Sequence, residues 1–249
     1  MLQKANDIIG LKLRTIDGAA GHVKDIYFDD QTWTTRYLMI DTGTWLPGRQ
    51  VLIQPDALGL PDLETRELSV ELTREQLIHA PLKDSDPPLA QRREMALARE
   101  MGWSAPWEYR PMEAPISLSA AQEATTKMRR QVDVTRQHYH RSMNEVVGYH
   151  ILATDGEIGH VCDFLIDDVT WAVRYLIVDS GNWLPGRRVL IAPEWIVNVS
   201  WANRRVQVEL NRRQVRLSPP YRLARPVSRH YETRLHEHYG RDKYWEEGT

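Results

Sequence analysis

The chain has 249 residues, long enough for one large domain or two ordinary ones. Lys plus Arg (32) and Asp plus Glu (34) nearly cancel, leaving a net charge of −2, so no whole-chain basic field exists to draw in nucleic acid or an acidic membrane. A single cysteine, Cys162, excludes an intrachain disulfide framework and a multi-cysteine zinc site. The N-terminal M-L-Q-K-A-N-D has no apolar leader core, and no apolar run approaches the roughly 18 residues of a membrane span. These features fit a soluble, cytoplasmic protein without a transmembrane segment.

The pattern D-D-x-T-W-x-x-R-Y-L-x-x-D-x-G-x-W-L-P-G-R-x-V-L-I-x-P occurs twice, from Asp29 to Pro55 and from Asp167 to Pro193. The offset of 138 residues holds from Asp17/Asp155 to Trp107/Trp245, so residues 5–111 match 143–249 without a gap. Over the first 70 or so positions roughly two in five are identical, far above chance. Two copies are too few for a solenoid, so each unit is expected to fold alone and the pair to pack as an internal pseudo-dimer. The expected division is a first barrel over 5–82, a helix and aromatic tail over 86–111, and a connector over 112–142. A second barrel over 143–220 and a second helix and tail over 224–249 follow.

In chain order, Ile9–Thr15 alternates apolar and polar residues and Asp17-Gly18 supplies a tight turn, giving a first strand and hairpin. Gly21–Phe28, Trp33–Asp41, Val51–Ile53 and Glu67–Leu72 read as four further strands, and the second copy repeats them from Val147 to Leu210. Five short strands between Gly, Pro and Asp turns predict a small closed barrel, so the fold is mainly β with two barrels in tandem. Val227, Tyr231, Leu235 and Tyr239 form a helical stripe stopped by Gly240, with a weaker equivalent at Leu89, Leu97 and Met101 before Gly102. The aromatic tails, with Trp107 and Trp245, are expected to dock on a barrel. Ser119 and Gln122 suggest a capped helix from about 120 to 132, and 135–142 reads as a mobile linker.

Candidate site residues are few. The W-L-P-G-R loops place Trp45, Pro47 and Arg49 in the first copy, and Trp183, Pro185 and Arg187 in the second, in the composition of an aromatic binding anchor. A small barrel needs large plugs, so the reading preferred is that each tryptophan caps its barrel end while Pro-Gly sets the turn. His22 and His160 each follow a glycine and suit a strand-edge hydrogen bond better than metal ligation. Asp29-Asp30 and Asp167-Asp168 suit turns, while Asp41 and Asp179 are expected to pair with Arg36 and Arg174. No serine-nucleophile elbow, cysteine–histidine pairing, phosphate loop or H-E-x-x-H motif is present, so neither an enzyme activity nor a cofactor or metal is expected. Short basic clusters at 127–130, 204–205 and 212–213 are read as solvated faces, and nucleic acid is not the expected partner.

The motifs D-G-x-x-G-x-V-x-D-x-x-x-D-D and R-Y-L-x-x-D resemble the PRC-barrel family, most closely in the second copy. That family includes the cytoplasmic domain of the purple-bacterial reaction-centre H subunit and the C-terminal barrel of the bacterial small-subunit ribosome-maturation factor. The tail Y-E-x-x-L-x-x-H-Y-G-R-x-x-Y-W is similar to that of tandem PRC-barrel proteins, so the resemblance spans nearly the whole chain. It implies a bacterial, non-enzymatic adaptor that docks to a larger assembly, with no catalytic residues to carry over, while the striped helices and Trp45, Trp103, Trp107, Trp183, Trp195 and Trp201 point to self-association. A ribosome- or RNA-associated factor and an accessory protein of a photosynthetic or electron-transfer assembly are the alternatives it leaves open.

Overall fold

A computed structural model describes residues 1–80, 140–181, 186–223 and 225–246. The expected first helix and tail (86–111, with Trp107), the connector up to residue 139, and Trp183 and Pro185 lie outside the described residues.

The first unit runs β1 (Leu2–Lys4), α1 (Ala5–Ile8), β2 (Lys12–Thr15), β3 (Gly18–Asp29), β4 (Thr35–Asp41), β5 (Gln50–Ile53), β6 (Glu67–Ser69) and α2 (Arg74–His79). The second runs β7 (His140–Ser142), α3 (Met143–Val146), β8 (His150–Ala153), β9 (Gly156–Asp167), β10 (Val173–Asp179), β11 (Arg188–Ile191), β12 (Ile196–Ser200), β13 (Arg205–Val208), α4 (Arg212–Leu217) and α5 (Arg229–Tyr239). Among the described residues the hydrogen-bonded orders are β5-β4-β3-β2-β6 and β11-β10-β9-β8-β13-β12. The β2–β6 and β8–β13 pairs are parallel and the other pairs antiparallel.

Neither path closes on itself, so the closed barrel becomes a curled, barrel-like sheet. Pro55 and Pro193 begin 3-10 turns directly past β5 and β11, and proline cannot continue the ladder. Each turn carries the chain across the sheet end before it returns as β6 or β13. The units differ at one edge. Val199 of β12 pairs with Val206, but its counterpart in the first unit is Pro61, where no N–H exists. That edge shrinks to the isolated bridges Leu58–Val70 and Asp62–Glu67.

Local chemistry accounts for most elements. In β2, Leu13 and Thr15 are buried and Lys12 and Arg14 exposed, the alternation of a half-buried strand. The short helices α2 and α4 were absent from the sequence reading. Each opens on a reciprocal capping box, Thr73 with Gln76 and Asn211 with Gln214, a spacing visible in the sequence. Helix α5 buries Leu235 and Tyr239 on the expected stripe and stops at Gly240, whose left-handed φ of 61° terminates the turn.

The units form one body. Strand β1 adds to β9 of the second sheet through Leu2–Asp167, Gln3–Ile166 and Lys4–Leu165. Strand β7 adds to β3 of the first sheet through Asp29–His140, Phe28–Arg141 and Tyr27–Ser142. Each pairing is the other shifted by 138 residues, so the exchange is reciprocal. One apolar cluster, including Phe28, Ile40, Phe164 and Ile177, runs through both units. The last three residues of the expected mobile linker are therefore an ordered strand, because the outer edge of β3 supplies the partners that H-R-S cannot provide itself.

Candidate functional site

The seam between the units is built from the duplicated D-D-x-T-W stretch. Asp29 accepts hydrogen bonds from the backbone N–H of Gln31 (2.9 Å) and Thr32 (2.8 Å), and Asp167 does the same for Val169 and Thr170 (3.0 and 2.8 Å). These tight turns deliver Trp33 and Trp171 with left-handed φ of 52° and 55°, an unusual conformation for a bulky residue. Long-range contacts hold them there. The Thr35 N–H donates to the Trp171 carbonyl (2.9 Å) and the Val173 N–H to the Trp33 carbonyl (2.8 Å), with Thr34 bridging Ala172. Phe28 stacks on Trp33 at 5.0 Å and meets Phe164 at 6.0 Å across the seam.

Carboxylates pin the added strands. Buried Asp25 accepts from the Ser142 hydroxyl (2.5 Å) and from the Asn144 N–H (3.3 Å) at the start of α3. Its counterpart Asp163 accepts from the Phe164 N–H (2.8 Å) and the Asn6 N–H (3.2 Å) at the start of α1. Burial pushes the Asp163 carboxyl above the usual range, against the pull of those two donors. Asp30 receives Arg141 (3.3 Å), and Asp168 receives Gln3 (3.1 Å) and the N-terminal ammonium (2.5 Å). The paired acids thus have two jobs: the first of each pair makes its turn, the second grips the other unit. Asp41 and Asp179 do not pair with Arg36 and Arg174 as expected. Lys24 approaches Asp41 at 3.4 Å and Arg188 approaches Asp179 at 3.5 Å, cross-strand neighbours that lie closer than the expected arginines. Arg36 turns to Asp29 at 3.8 Å, and Arg174 lies over the Tyr244 ring at 4.0 Å.

Beside the seam lies a groove of about 660 Å³, walled by Gln31, Trp33, Arg141 and the terminal strand β12. Arg141 stacks over the Trp201 ring at 4.2 Å on its floor. Val197 of β12, at the groove, is 63% exposed.

A buried polar network joins α5 to the outer face of the second sheet. The Tyr175 hydroxyl of β10 sits 3.2 Å from Glu232 and 2.9 Å from His236 Nε2. Tyr244 donates to Glu232 (2.7 Å), Arg229 pairs with it at 2.9 Å, and His236 Nδ1 meets the Asp242 carbonyl at 2.6 Å. Burial, reinforced by the Glu232 charge, drives the Tyr175 hydroxyl far above its ordinary range. Trp195, Tyr244 and Trp245 pack around the His236 ring at 5.4, 6.2 and 5.2 Å. Trp245 therefore seats on its own helix, with Arg229 over it at 4.4 Å, rather than directly on a barrel. The sequence reading missed Glu232 and His236 as interior groups. Their spacing of four residues, on the side that also carries Leu235, is the signal that marks them.

The W-L-P-G-R loop is an internal brace in its described parts. Trp45 is half-buried against the core, with Arg74 5.8 Å from its ring centre, while Pro47 is exposed. The Thr42 hydroxyl lies 2.6 Å from the Leu46 carbonyl and 2.9 Å from that of Arg49, tying the loop shut. Arg187 donates to the Ser218 carbonyl. His22 and His160 are exposed, and among the described residues neither imidazole makes a hydrogen bond of the expected strand-edge kind. The glycines before them carry the constraint: a Cβ on Gly21 or Gly159 would lie 2.0 Å from the carbonyl oxygen of Asp41 or Asp179. Cys162 is half-buried and burial lifts its thiol to about 11, far from a reactive thiolate. No group of three or more His, Cys, Asp or Glu able to hold a metal ion occurs among the described residues.

The family model described as PRC-barrel domain matches residues 3–77, the extent of the first unit from β1 to α2. The chain thus carries a PRC-barrel domain, a small β-barrel module often found in interaction or scaffold proteins. The second copy, whose motifs resemble the family more closely, lies outside that match. No curated protein matches the chain. No helix among the described residues is long and apolar enough to cross a membrane.

Proposed function

We propose that the protein is a non-enzymatic adaptor in which two PRC-barrel units, the second an internal copy of the first, present one rigid docking body to a partner protein. The observation that carries this reading is the reciprocal strand addition of β1 to β9 and β7 to β3. It commits the buried carboxylates Asp25 and Asp163 to holding the units together, which leaves them unsuited to acid–base chemistry on a substrate. The partner site is the groove beside the seam. Terminal strand β12 offers an extended segment a backbone row to pair with, and the Arg141–Trp201 stack offers a planar contact. One cysteine and the absence of a disulfide fit a reducing, cytoplasmic setting.

The test is affinity capture from native lysate, with and without nuclease, using the wild-type chain and Val197→Asp. The exposed Val197 makes that change cheap for folding. Expected is a nuclease-resistant protein partner that the variant no longer retains. Capture of ribosomal proteins and RNA that nuclease removes, or equal capture by both chains, overturns the reading. Light scattering across micromolar concentrations decides whether the partner is a second copy.

A further inference from the structure

The second unit concentrates arginine in the stretch that forms α4, the segment after it and the start of α5. From Asn211 to Tyr231 the second unit carries six arginines and no acidic residue. Arg212 and Arg229 are engaged: the Arg212 side chain packs over Gly156, and Arg229 holds Glu232. Arg213, Arg216, Arg222, Arg225 and, further along, Arg234 are exposed, and none makes an ion pair among the described residues. At the positions 138 residues earlier stand Glu75, Ile78, Asp84, Pro87 and Ala96. Glu75 and Ile78 lie on α2, which keeps the capping box and length of α4, so Arg213 and Arg216 are not a requirement of that helix; the other three positions lie outside the described residues.

Two contacts bring α5 against α4 and the turn after it. His238 Nε2 meets the Gln214 carbonyl at 2.8 Å and the Tyr231 hydroxyl donates to the Pro219 carbonyl at 2.9 Å, which lays α5 along residues 214–219. Arg234 lies three residues past Tyr231 and four before His238, so it shares their side of α5. Arg213 and Arg216 share a face of α4, and Arg222 and Arg225 are joined by a turn, the Arg225 N–H donating to the Arg222 carbonyl at 3.0 Å. Beside α4 and α5, Glu237 faces Lys243 at 3.6 Å and Asp155 accepts the Arg212 N–H at 2.7 Å, while at the far end of this stretch Leu223 and Arg225 line a second groove that also holds Asp7, Asp62 and Glu64.

Two exposed leucines sit among the arginines, Leu217 at 63% and Leu223 at 38%. The tyrosines of the segment are held, Tyr221 at 8% exposure and Tyr231 with its hydroxyl committed, which leaves the imidazole of His230 as the exposed ring among its described residues. Arginines that bind phosphate, interleaved with protruding aliphatic side chains and with no exposed tyrosine or tryptophan beside them, match an anionic lipid surface better than a nucleic acid. We infer that the α4–α5 flank of the second unit is a docking surface for the phosphate headgroups of an anionic bilayer, with Leu217 and Leu223 entering the headgroup layer. This goes beyond the adaptor reading and does not depend on it, because the flank lies apart from the residues of the groove beside the seam.

Co-sedimentation of the purified full chain tests the inference. The probes are vesicles of phosphatidylcholine alone and of phosphatidylcholine mixed with phosphatidylglycerol. Expected is binding to the anionic vesicles only, weakening as salt rises. Removing each arginine should lower the partition by about fivefold, so Arg213→Ala with Arg216→Ala loses about 25-fold. Leu217→Ser should lower the binding that survives at high salt. Circular dichroism confirms that these surface variants fold. No binding to anionic vesicles, equal binding to neutral ones, or arginine variants that bind like wild type overturn the inference. Binding of structured RNA that the same variants abolish, with vesicles ignored, reassigns the flank to nucleic acid.

Discussion

Replacing Gly159 by alanine separates the two members of the Gly-His pair that both copies retain. Gly159 has φ of +134°, and an added Cβ would stand 2.0 Å from the Asp179 carbonyl oxygen and 2.8 Å from Ser180 Cα, both backbone of the neighbouring strand. That is roughly 1.5 Å inside contact distance, and backbone cannot rotate away as a side chain would. Opening β9 from β10 by that amount breaks about two ladder bonds at about 1 kcal/mol each, and the strained φ adds about 1–3 kcal/mol. The expected loss is therefore about 3–5 kcal/mol, a large fraction of the roughly 5–15 kcal/mol of an ordinary domain. With a urea m value of about 2 kcal/mol per molar, the tryptophan-fluorescence midpoint falls by about 2 M. Two comparisons isolate the cause. Gly148→Ala, at φ +90° with nothing within 4 Å of its Cβ, should lose only about 1–2 kcal/mol. His160→Ala should stay within about 0.5 kcal/mol, because the imidazole is exposed and makes no hydrogen bond among the described residues. A Gly159→Ala midpoint equal to that of Gly148→Ala, or a larger loss in His160→Ala, would refute the argument.

Three further outcomes follow from buried groups. Tyr175→Phe removes the hydroxyl shared by Glu232 and His236 and should cost about 1–3 kcal/mol, with faster hydrogen exchange concentrated in α5; unchanged exchange there removes the network from the docking of that helix. Asp163→Asn keeps an oxygen for the Asn6 and Phe164 donors but removes a carboxyl whose folded-state pKa is raised by burial. The wild type binds that proton more tightly when folded, so its stability falls relative to the variant as pH rises from about 4 to the raised native value, then stays level to neutrality; parallel unfolding curves across that window contradict the account. Cys162, with its thiol at about 11, should be alkylated roughly a thousandfold more slowly at pH 8 than a fully ionised thiol, until denaturant exposes it.

Local signals in the chain carried much of the fold. Period-two alternation marks β2, Asp-Gly turns mark the hairpins, and the Tyr231–Leu235–Tyr239 stripe with Gly240 marks α5 and its end. Capping boxes at Thr73 and Asn211 were equally legible and pass unnoticed only because six-residue helices have too little length for a period to show. The candidate site was less legible. Trp45 reads as a binding anchor or as a barrel-end plug because a tryptophan beside Pro-Gly looks the same whether it faces solvent or packs against a core. His22 and His160 drew attention as side chains, while the constraint lies in the backbone of the glycines before them.

What the sequence determined by itself is therefore the unit: its strands and turns, its repetition at an offset of 138 residues, and the helix that follows the second copy. Only the tertiary structure decided how the two units meet. Ser142 finds Asp25 across 117 residues and Asn6 finds Asp163 across 157, and no periodicity records a partner at that distance. The three-residue strands β1 and β7 have too little pattern to declare themselves, and become strands because the edges of β9 and β3 leave backbone groups that must be paired. Burial of Glu232 and His236 is settled in the same way, by a sheet face that offers Tyr175 and an aromatic wall, rather than by the polarity of their own side chains.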